Sequence, residues 1–252
     1  MELLAVIAIV SVLFTVMLPG FKKMVKGNAV ERAAADLKLG LEKAQAEAIS
    51  SRRYVALILG NNNVSGLEPR YQLGGYRIAY VDRELNASNA TSYVFAGWVD
   101  GDAWKTANPE ARLVKIIASD KDLTEDVFFN KASMNGKDIG TIWNDSNKKI
   151  TWKSSASGSL SITGTQFNDL MDVEKVEKYT DPSGTEKMNK SAIIFSPYGG
   201  ICGGKNMQFV IAECVEDGTD LYFPTRANNG PINYFVLQVN FLTGRISYAE
   251  LE

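Results

Sequence analysis

Histidine is absent from this sequence of 252 residues. Its absence removes the most common general base and the most common metal ligand of proteins, so a Ser-His-Asp or Cys-His catalytic arrangement is excluded. The sequence also has no P-loop and no G-x-G-x-x-G fingerprint, and the Gly-rich stretch 199–204 lacks the Lys-Ser/Thr pair that would hold a phosphate. We therefore expect no catalytic residue and no cofactor, and an enzyme is the least supported class of function.

Net charge and cysteine are also low. A net charge of −2 and a pI near 5.5 do not indicate a surface for nucleic acid or anionic lipid over the whole chain. Cys202 and Cys214 allow at most one disulfide, which an oxidising compartment would favour. A hairpin turning near Gly204, however, would place Cys214 opposite about residue 195. A Cys202–Cys214 disulfide and two half-buried thiols both stay open.

Acidic clusters do not have the spacing of a metal site. The segments 119–126 (SDKDLTED) and 144–147 (NDSN) lack the D-x-[DN]-x-[DN]-G pattern of a calcium loop. We interpret both as solvated loops, and Asp100, Asp102 and Trp104 as parts of a turn. No metal site is expected.

A long apolar run is the sharpest feature that is present. Residues from Leu3 to Leu18 are apolar except for Ser11 and Thr15, and three lysines follow at once. A signal peptide would begin with a basic residue rather than Glu2, and a core helix rarely stays apolar on every face. We favour a membrane helix over both alternatives, although about 24 Å of helix is short for a bilayer core of ~30 Å. Its central side chains are Leu3, Leu4, Val6, Ile7, Ile9, Val10, Leu13 and Phe14.

The next segment predicts a one-sided helix that continues the first. Small and apolar residues recur in steps of 3 and 4, which places them on one helical face. Pro19 can kink the chain and Gly27 can loosen it, but helix signal otherwise extends from about residue 3 to residue 51. The residues of this stripe are Val30, Ala33, Leu37, Leu41, Ala44 and Ala48.

The rest of the chain is predicted to be rich in β-strands. Short apolar or alternating runs are separated by Gly, Asn, Asp and Ser turns. One further short helix is predicted over 165–178, with Thr165 as its N-cap. The predicted strands are RRYVALIL, YRIAYVD, YVFAGWV, RLVKIIA, KKITW and GSLSITG.

These segments resemble a known family. ELLAVIAIVSVLFTVMLPGF resembles the mature N-terminus of type IV pilins and type II secretion pseudopilins, which carry a Glu near the start of an apolar run and a Pro near its exit; Glu2 and Pro19 occupy both places. VERAAADLKLGLEKAQAEAISSRRYVALIL resembles the GspH/FimT subgroup of minor pseudopilins. AIIFSPYGG and YFVLQVNFLTGRISYAEL resemble the closing strands of that subgroup.

The resemblance implies an α+β, pilin-like fold. A long N-terminal helix would span the membrane with its first half and pack with its second half on an antiparallel, β-rich globular head. The implied parts are a transmembrane and filament-core helix (1–26) and a periplasmic head (27–252). The head would contain an amphipathic half-helix (27–52) and a β-rich part (53–252) with an insertion at 84–180.

The resemblance also implies a structural function. The protein would be a minor pseudopilin of a type II secretion filament, or a minor pilin of a type IV pilus, with its head near the filament tip. Its partners would be other pilins or pseudopilins, inner-membrane lipid and, for the full-length precursor, prepilin peptidase. It would cross the bacterial inner membrane once, with its head in the periplasm or in an extracellular filament. Glu2 would pair with the N-terminal amine of a neighbouring subunit. Relative to the family, this chain has no basic leader and lacks a few mature residues.

Two alternative functions remain open at this point. One is a FimT-like minor pilin that binds DNA, and the other is an unrelated membrane-anchored extracytoplasmic β domain. DNA-binding members carry Gly-Arg-x-Arg near the C-terminus, whereas this chain has Gly244-Arg245 without the second Arg and ends in an acidic tail. Arg245 is the candidate DNA contact, but DNA is not an expected partner. A basic patch would have to form from distant residues such as Lys148, Lys149, Lys153 and Arg226.

Overall fold

A single long helix opens the fold. The computed structural model of the protein describes residues 2–60, 71, 74–85, 90–101, 103–105, 110–119, 150–152, 159–162, 170–177, 185–213, 215–217, 220–222, 226–227, 230–231 and 233–248. Helix α1 extends over Glu2–Ser51, which confirms the predicted continuity, and Arg52 ends it with a left-handed backbone (φ 55°). Side chains of α1 are described at Ile7 and from residue 28 onward.

Strands make up the described part of the chain after the helix. Each of the six predicted runs contains a strand, and the two family-like C-terminal segments contain strands as well. The strands are β1 Tyr54–Leu59, β2 Tyr76–Leu85, β3 Thr91–Trp98, β4 Ala111–Ser119, β5 Ile150–Trp152, β6 Ser159–Ile162, β7 Met171–Glu177, β8 Thr185–Phe195, β9 Asn206–Glu213, β10 Val215–Asp217, β11 Asp220–Tyr222, β12 Arg226–Ala227, β13 Gly230–Pro231, β14 Tyr234–Val239 and β15 Ile246–Tyr248.

Five of these strands close into a ring. Their order is β1–β2–β3–β7–β8, with β8 pairing back onto β1. Neighbours in the ring are antiparallel except β3 and β7, which are parallel at Val94 and Glu174. Ring closure depends on pairs that are distant in sequence, such as Leu57 with Ile193.

A second antiparallel sheet has the order β15–β14–β9–β4. Two smaller sheets contain β10–β11–β6–β5 and β12–β13. The predicted insertion, 84–180, includes β3, β4 and β7, which are hydrogen-bonded members of the ring and of the second sheet. Its boundaries stay a prediction.

Helix α1 packs on both larger sheets and shares one apolar core with them. Strand β1 lies between this core and a second one. Val55, Leu57 and Leu59 face the helix side, whereas Ala56 and Ile58 point into the ring. Buried apolar and aromatic residues such as Tyr93 and Trp104 belong to the ring core. The head is therefore built in layers, with β1 buried on both faces.

One local prediction is wrong, and the hairpin considered in weighing the disulfide lies elsewhere. Residues 171–177 of the predicted helix form strand β7, because pairing with β8 inserts Val173 into the ring; Thr165 lies outside the described residues. The chain also does not form a hairpin at Gly204. It turns tightly after Phe195, which pairs with Ile201, and β9 then joins the second sheet between β14 and β4.

Candidate functional site: the helix–head junction

One face of α1 is buried against the head. Every residue of the predicted stripe is buried: Val30, Ala33, Leu37, Leu41, Ala44 and Ala48. Small side chains on this face allow the helix backbone to approach the sheets closely, while the three larger ones fill the core. The sequence prediction of a one-sided helix is therefore confirmed for the described half of α1.

Gly40 marks a close approach between α1 and the head. The ring of Tyr76 lies directly over it, so an added Cβ would stand 2.6 Å from Tyr76 Cζ and 2.7 Å from Cε2. The Tyr76 hydroxyl donates a hydrogen bond to the backbone carbonyl of Asp36 at 3.4 Å. Burial raises the pKa of Tyr76 and, separately, that of Asp36. Glycine at position 40 therefore leaves the space that the Tyr76 ring occupies against α1.

Gln45 ties two distant turns to the helix. Its Nε2 donates to the carbonyl of Gly199 at 3.0 Å and to the carbonyl of Thr243 at 2.8 Å. Gly199 belongs to the tight turn after β8, and Thr243 belongs to the turn between β14 and β15. One side-chain amide thus uses both of its hydrogens to fix the two turns against α1.

The β14–β15 turn is held by hydrogen bonds and carries the predicted Gly-Arg pair. Asn240 Oδ1 accepts hydrogen bonds from the backbone N–H groups of Leu242 and Thr243. Gly244 adopts φ 65°, and a Cβ there would stand 1.9 Å from the carbonyl oxygen of Gly199. Only glycine fits at this position. Arg245 is exposed next to it.

Polar contacts hold the helix along both edges of its buried face. Lys43 forms an ion pair with Asp100 at 2.5 Å. On the same edge, the Tyr80 hydroxyl donates to the Glu47 carboxylate, which raises the pKa of Tyr80. Across from these contacts, Lys38 lies over the ring of Tyr248 at 5.2 Å. These residues fix the helix orientation rather than create a reactive centre.

The assembly residues predicted from sequence lie on α1. Glu2 and Pro19 are helical in backbone, and their side chains lie outside the described residues, as do those of the predicted membrane segment except Ile7, which is exposed. Among the helical residues whose side chains are described, no segment is long and apolar enough to cross a membrane. The membrane helix and the role of Glu2 stay predictions.

Cys202 packs against the ring core, and its sulfur is hydrogen-bonded with the Tyr93 hydroxyl. Burial raises the pKa of Cys202, and it also raises the pKa of Tyr93. Cys214 lies outside the described residues, so the disulfide stays a prediction. The acidic segments 120–126 and 144–147 lie outside them as well, and the described residues contain no group of three or more Cys, Asp or Glu side chains placed to hold a metal ion.

A buried arginine was missed by sequence reasoning. Arg77 is 3% exposed, and its guanidinium carbon lies 3.4 Å from the ring centroid of Trp98 and 5.4 Å from that of Trp104. Cation–π contact with two indole rings stabilises a cation that has left water. The signal in the sequence is weak, because an Arg early in an apolar strand resembles an ordinary strand end.

Comparisons with known proteins do not assign this chain to a family. No family model matches this chain, and no curated protein is significantly similar to it. Among solved structures, the type IV minor pilin FimU of Pseudomonas aeruginosa is similar over 88% of this chain and 90% of that chain, with 13% sequence identity and a TM-score of 0.38. Values this low do not assign a family to this chain.

Proposed function

We propose that this protein is a structural subunit of a type II secretion or type IV pilus filament, a minor pseudopilin or minor pilin. The observation that carries the proposal is the unbroken 50-residue helix Glu2–Ser51. The helix begins with the run from Leu3 to Leu18, which is apolar except for Ser11 and Thr15. Side chains that are apolar on every face of a helix are best accommodated by lipid or by the helices of other subunits.

In this function α1 has two consecutive tasks. Its first half inserts into the inner membrane and later into the filament core, and its second half carries the head. Glu2 near the apolar tip costs about 2.5–3.5 kcal/mol at a bilayer centre and less near an interface, so it is best retained where it has a cationic partner. The N-terminal amine of a neighbouring subunit would be that partner. The full-length precursor would be processed by prepilin peptidase.

Junction contacts favour a structural function over a catalytic one. Gln45, Lys43 and Glu47 are all engaged in holding the head at a fixed angle to the helix. A rigid connection is what an assembling subunit needs, because the helix then determines where the head lies in the filament.

Substitution of Glu2 tests the assembly function. In the full-length precursor, Glu2→Ala should insert into membranes as well as the native protein, because it removes a charge that lipid disfavours. It should be incorporated poorly into filaments, since the proposed pair with a neighbour's amine is lost. Insertion is measured by carbonate extraction and incorporation by co-sedimentation with sheared filaments.

Glu31→Ala is the matched control, because it removes an exposed acid from the described half of the same helix. Native incorporation of the Glu2→Ala protein would contradict the pairing.

A second test removes residues 1–26, which should leave a soluble, folded monomer. Aggregation of the truncated head would contradict the division into helix and head.

A further inference from the structure

Strand β7 is held in the ring by sparse pairing. Antiparallel neighbours elsewhere in the ring share longer ladders, with six residue pairs between β1 and β2 and seven between β2 and β3. The residues that the structure describes in β3 and β7 pair at one position, Val94 with Glu174, and in the parallel direction, which is slightly less stable per residue. On its other side β7 pairs with β8, but two shifts in register interrupt this ladder.

Release of β7 would remove little from the ring core. Among the side chains that the structure describes in β7, Val173 is the one that is fully buried, and it belongs to the ring core. A segment that is held by few ladder hydrogen bonds and few buried apolar side chains can open locally while the rest of the protein stays folded. We therefore expect β7 to leave the ring at a lower cost in free energy than β1 or β2.

A tight turn crosses the end of β7. This turn, residues 201–204, is called the clasp. The backbone N–H of Cys202 donates a hydrogen bond to the carbonyl of Ile194 in β8 at 2.8 Å. A Cβ added at Gly203 would lie 4.0 Å from the sulfur of Met171, the first residue of β7. The clasp is therefore attached to β8 and reaches over the beginning of β7.

The far side of the clasp meets β3. The Cys202 sulfur is hydrogen-bonded with the hydroxyl of Tyr93, which is 6% exposed. Tyr93 directly precedes Val94, which forms the pair with β7. The clasp thus connects β8 with β3, the two neighbours of β7 in the ring, where the ladder between β3 and β7 is thinnest. Separation of the two polar groups would break a hydrogen bond inside an apolar core, so this contact opposes opening.

We propose that the ring opens by release of β7, and that the clasp controls this opening through the contact between Cys202 and Tyr93. In the closed state the clasp holds β3 and β8 on either side of β7. In the open state that contact is broken, β7 leaves, and the edge of β3 and the interior of the ring become accessible. This device belongs to the head and does not depend on filament assembly.

Hydrogen exchange of the full chain in mild detergent, followed by mass spectrometry, tests the release of β7. The slowest amides of Met171–Glu177 should exchange at least about tenfold faster than the slowest amides of β1 and β2, because they need only a local opening. Equal rates in the three strands would mean that β7 opens only when the whole head unfolds, which would overturn the proposal. The rates in β1 and β2 also serve as an internal measure of global stability in every variant.

Tyr93→Phe tests the clasp, because it removes the hydroxyl and keeps the aromatic ring. Loss of one hydrogen bond should accelerate exchange in β7 about fivefold relative to β1 and β2. Tyr54→Phe is the matched control, because it removes a hydroxyl from a ring only 5.8 Å away that belongs to β1. It should leave exchange in β7 unchanged. Equal acceleration by the two variants, or none by Tyr93→Phe, would overturn control by the clasp.

Substitution of Cys202 tests the other partner of the same contact. Cys202→Ala should accelerate exchange in β7 as much as Tyr93→Phe, whereas Cys202→Ser retains a hydrogen-bonding group and should stay close to the native rate. The double variant Tyr93→Phe/Cys202→Ala should exchange no faster than either single variant, since both remove one shared contact. Fully additive acceleration would show that the two residues act separately, and it would overturn the proposed contact.

Discussion

Replacement of Gly40 by Ala tests whether close approach of the helix to Tyr76 determines the residue at this position. In a helix interior Ala is favoured over Gly by about 1 kcal/mol, so an exposed site would gain stability. At Gly40 the new methyl group would stand 2.6 Å from Tyr76 Cζ and 3.0 Å from its hydroxyl oxygen. The ring would have to move, which separates it from Asp36 and from the shared core.

Helix propensity favours Ala at position 40 and the contact with the Tyr76 ring opposes it, so their relative sizes decide whether the protein is stabilised or destabilised. Overpacking of this kind costs about 1–3 kcal/mol, so Gly40→Ala should destabilise the protein by about 0–2 kcal/mol after the helix gain is subtracted. In a Tyr76→Leu background the ring is absent, and the same change should stabilise the protein by about 1 kcal/mol. The coupling free energy between the two positions should therefore be about 1–3 kcal/mol.

Urea unfolding of the full chain in mild detergent, followed by circular dichroism, measures all four members of this double-mutant cycle. Ala35→Gly on the exposed face of α1 calibrates the helix propensity and should cost about 1 kcal/mol. If Gly40→Ala is equally stabilising with Tyr76 and with Leu at position 76, the ring does not exclude a side chain at position 40 and the reasoning is refuted.

Three further predictions concern the junction and the thiol. Gly244→Ala should destabilise the protein by about 2 kcal/mol or more, because its methyl group would overlap the Gly199 carbonyl. Gly101→Ala is the control and should cost clearly less, since Gly101 has φ 81° but no neighbour within 4 Å. Equal losses of stability in the two variants would contradict the overlap. Asp36→Asn should raise the Tm at pH 7 but not at pH 3. Burial raises the pKa of Asp36 above 3.8, so the stability that the protonated Asp36 side chain contributes is fully present below pH 3.8 and is lost as pH rises through the raised pKa. An equal change in Tm at both pH values would argue against burial as the cause. Cys202 should react with iodoacetamide at pH 8 more slowly in the folded protein than in urea, because burial raises its pKa; equal rates measured by mass spectrometry would contradict this.

Local patterns in the sequence were sufficient to predict α1 and many strands. The helical stripe from Val30 to Ala48 repeats at the helix period, and each predicted strand run has turn residues on both sides. These signals arise within a few residues of one another. They therefore do not depend on how the chain folds back on itself.

Long-range pairing was not predictable in the same way. Apolar residues of β7 occur at 171, 173 and 176. The step of two suits a strand and the step of three suits a helical face, and pairing with β8 decides between them. Closure of the ring likewise depends on β1 meeting β8, which no local pattern encodes. The same holds for the junction, since neither Gln45 nor Gly244 carries a signal that links the two.

The position of β1 has a consequence for how the chain folds while it is being synthesised. β1 leaves the helix directly at Arg52 and meets β2 soon afterwards, but its other neighbour, β8, ends at Phe195. During N-to-C synthesis, this strand, apolar on both faces, therefore carries an unpaired edge until most of the chain has emerged. A chain stalled before Ala192 would expose that edge permanently, so the protein should be most vulnerable to aggregation and proteolysis in this interval.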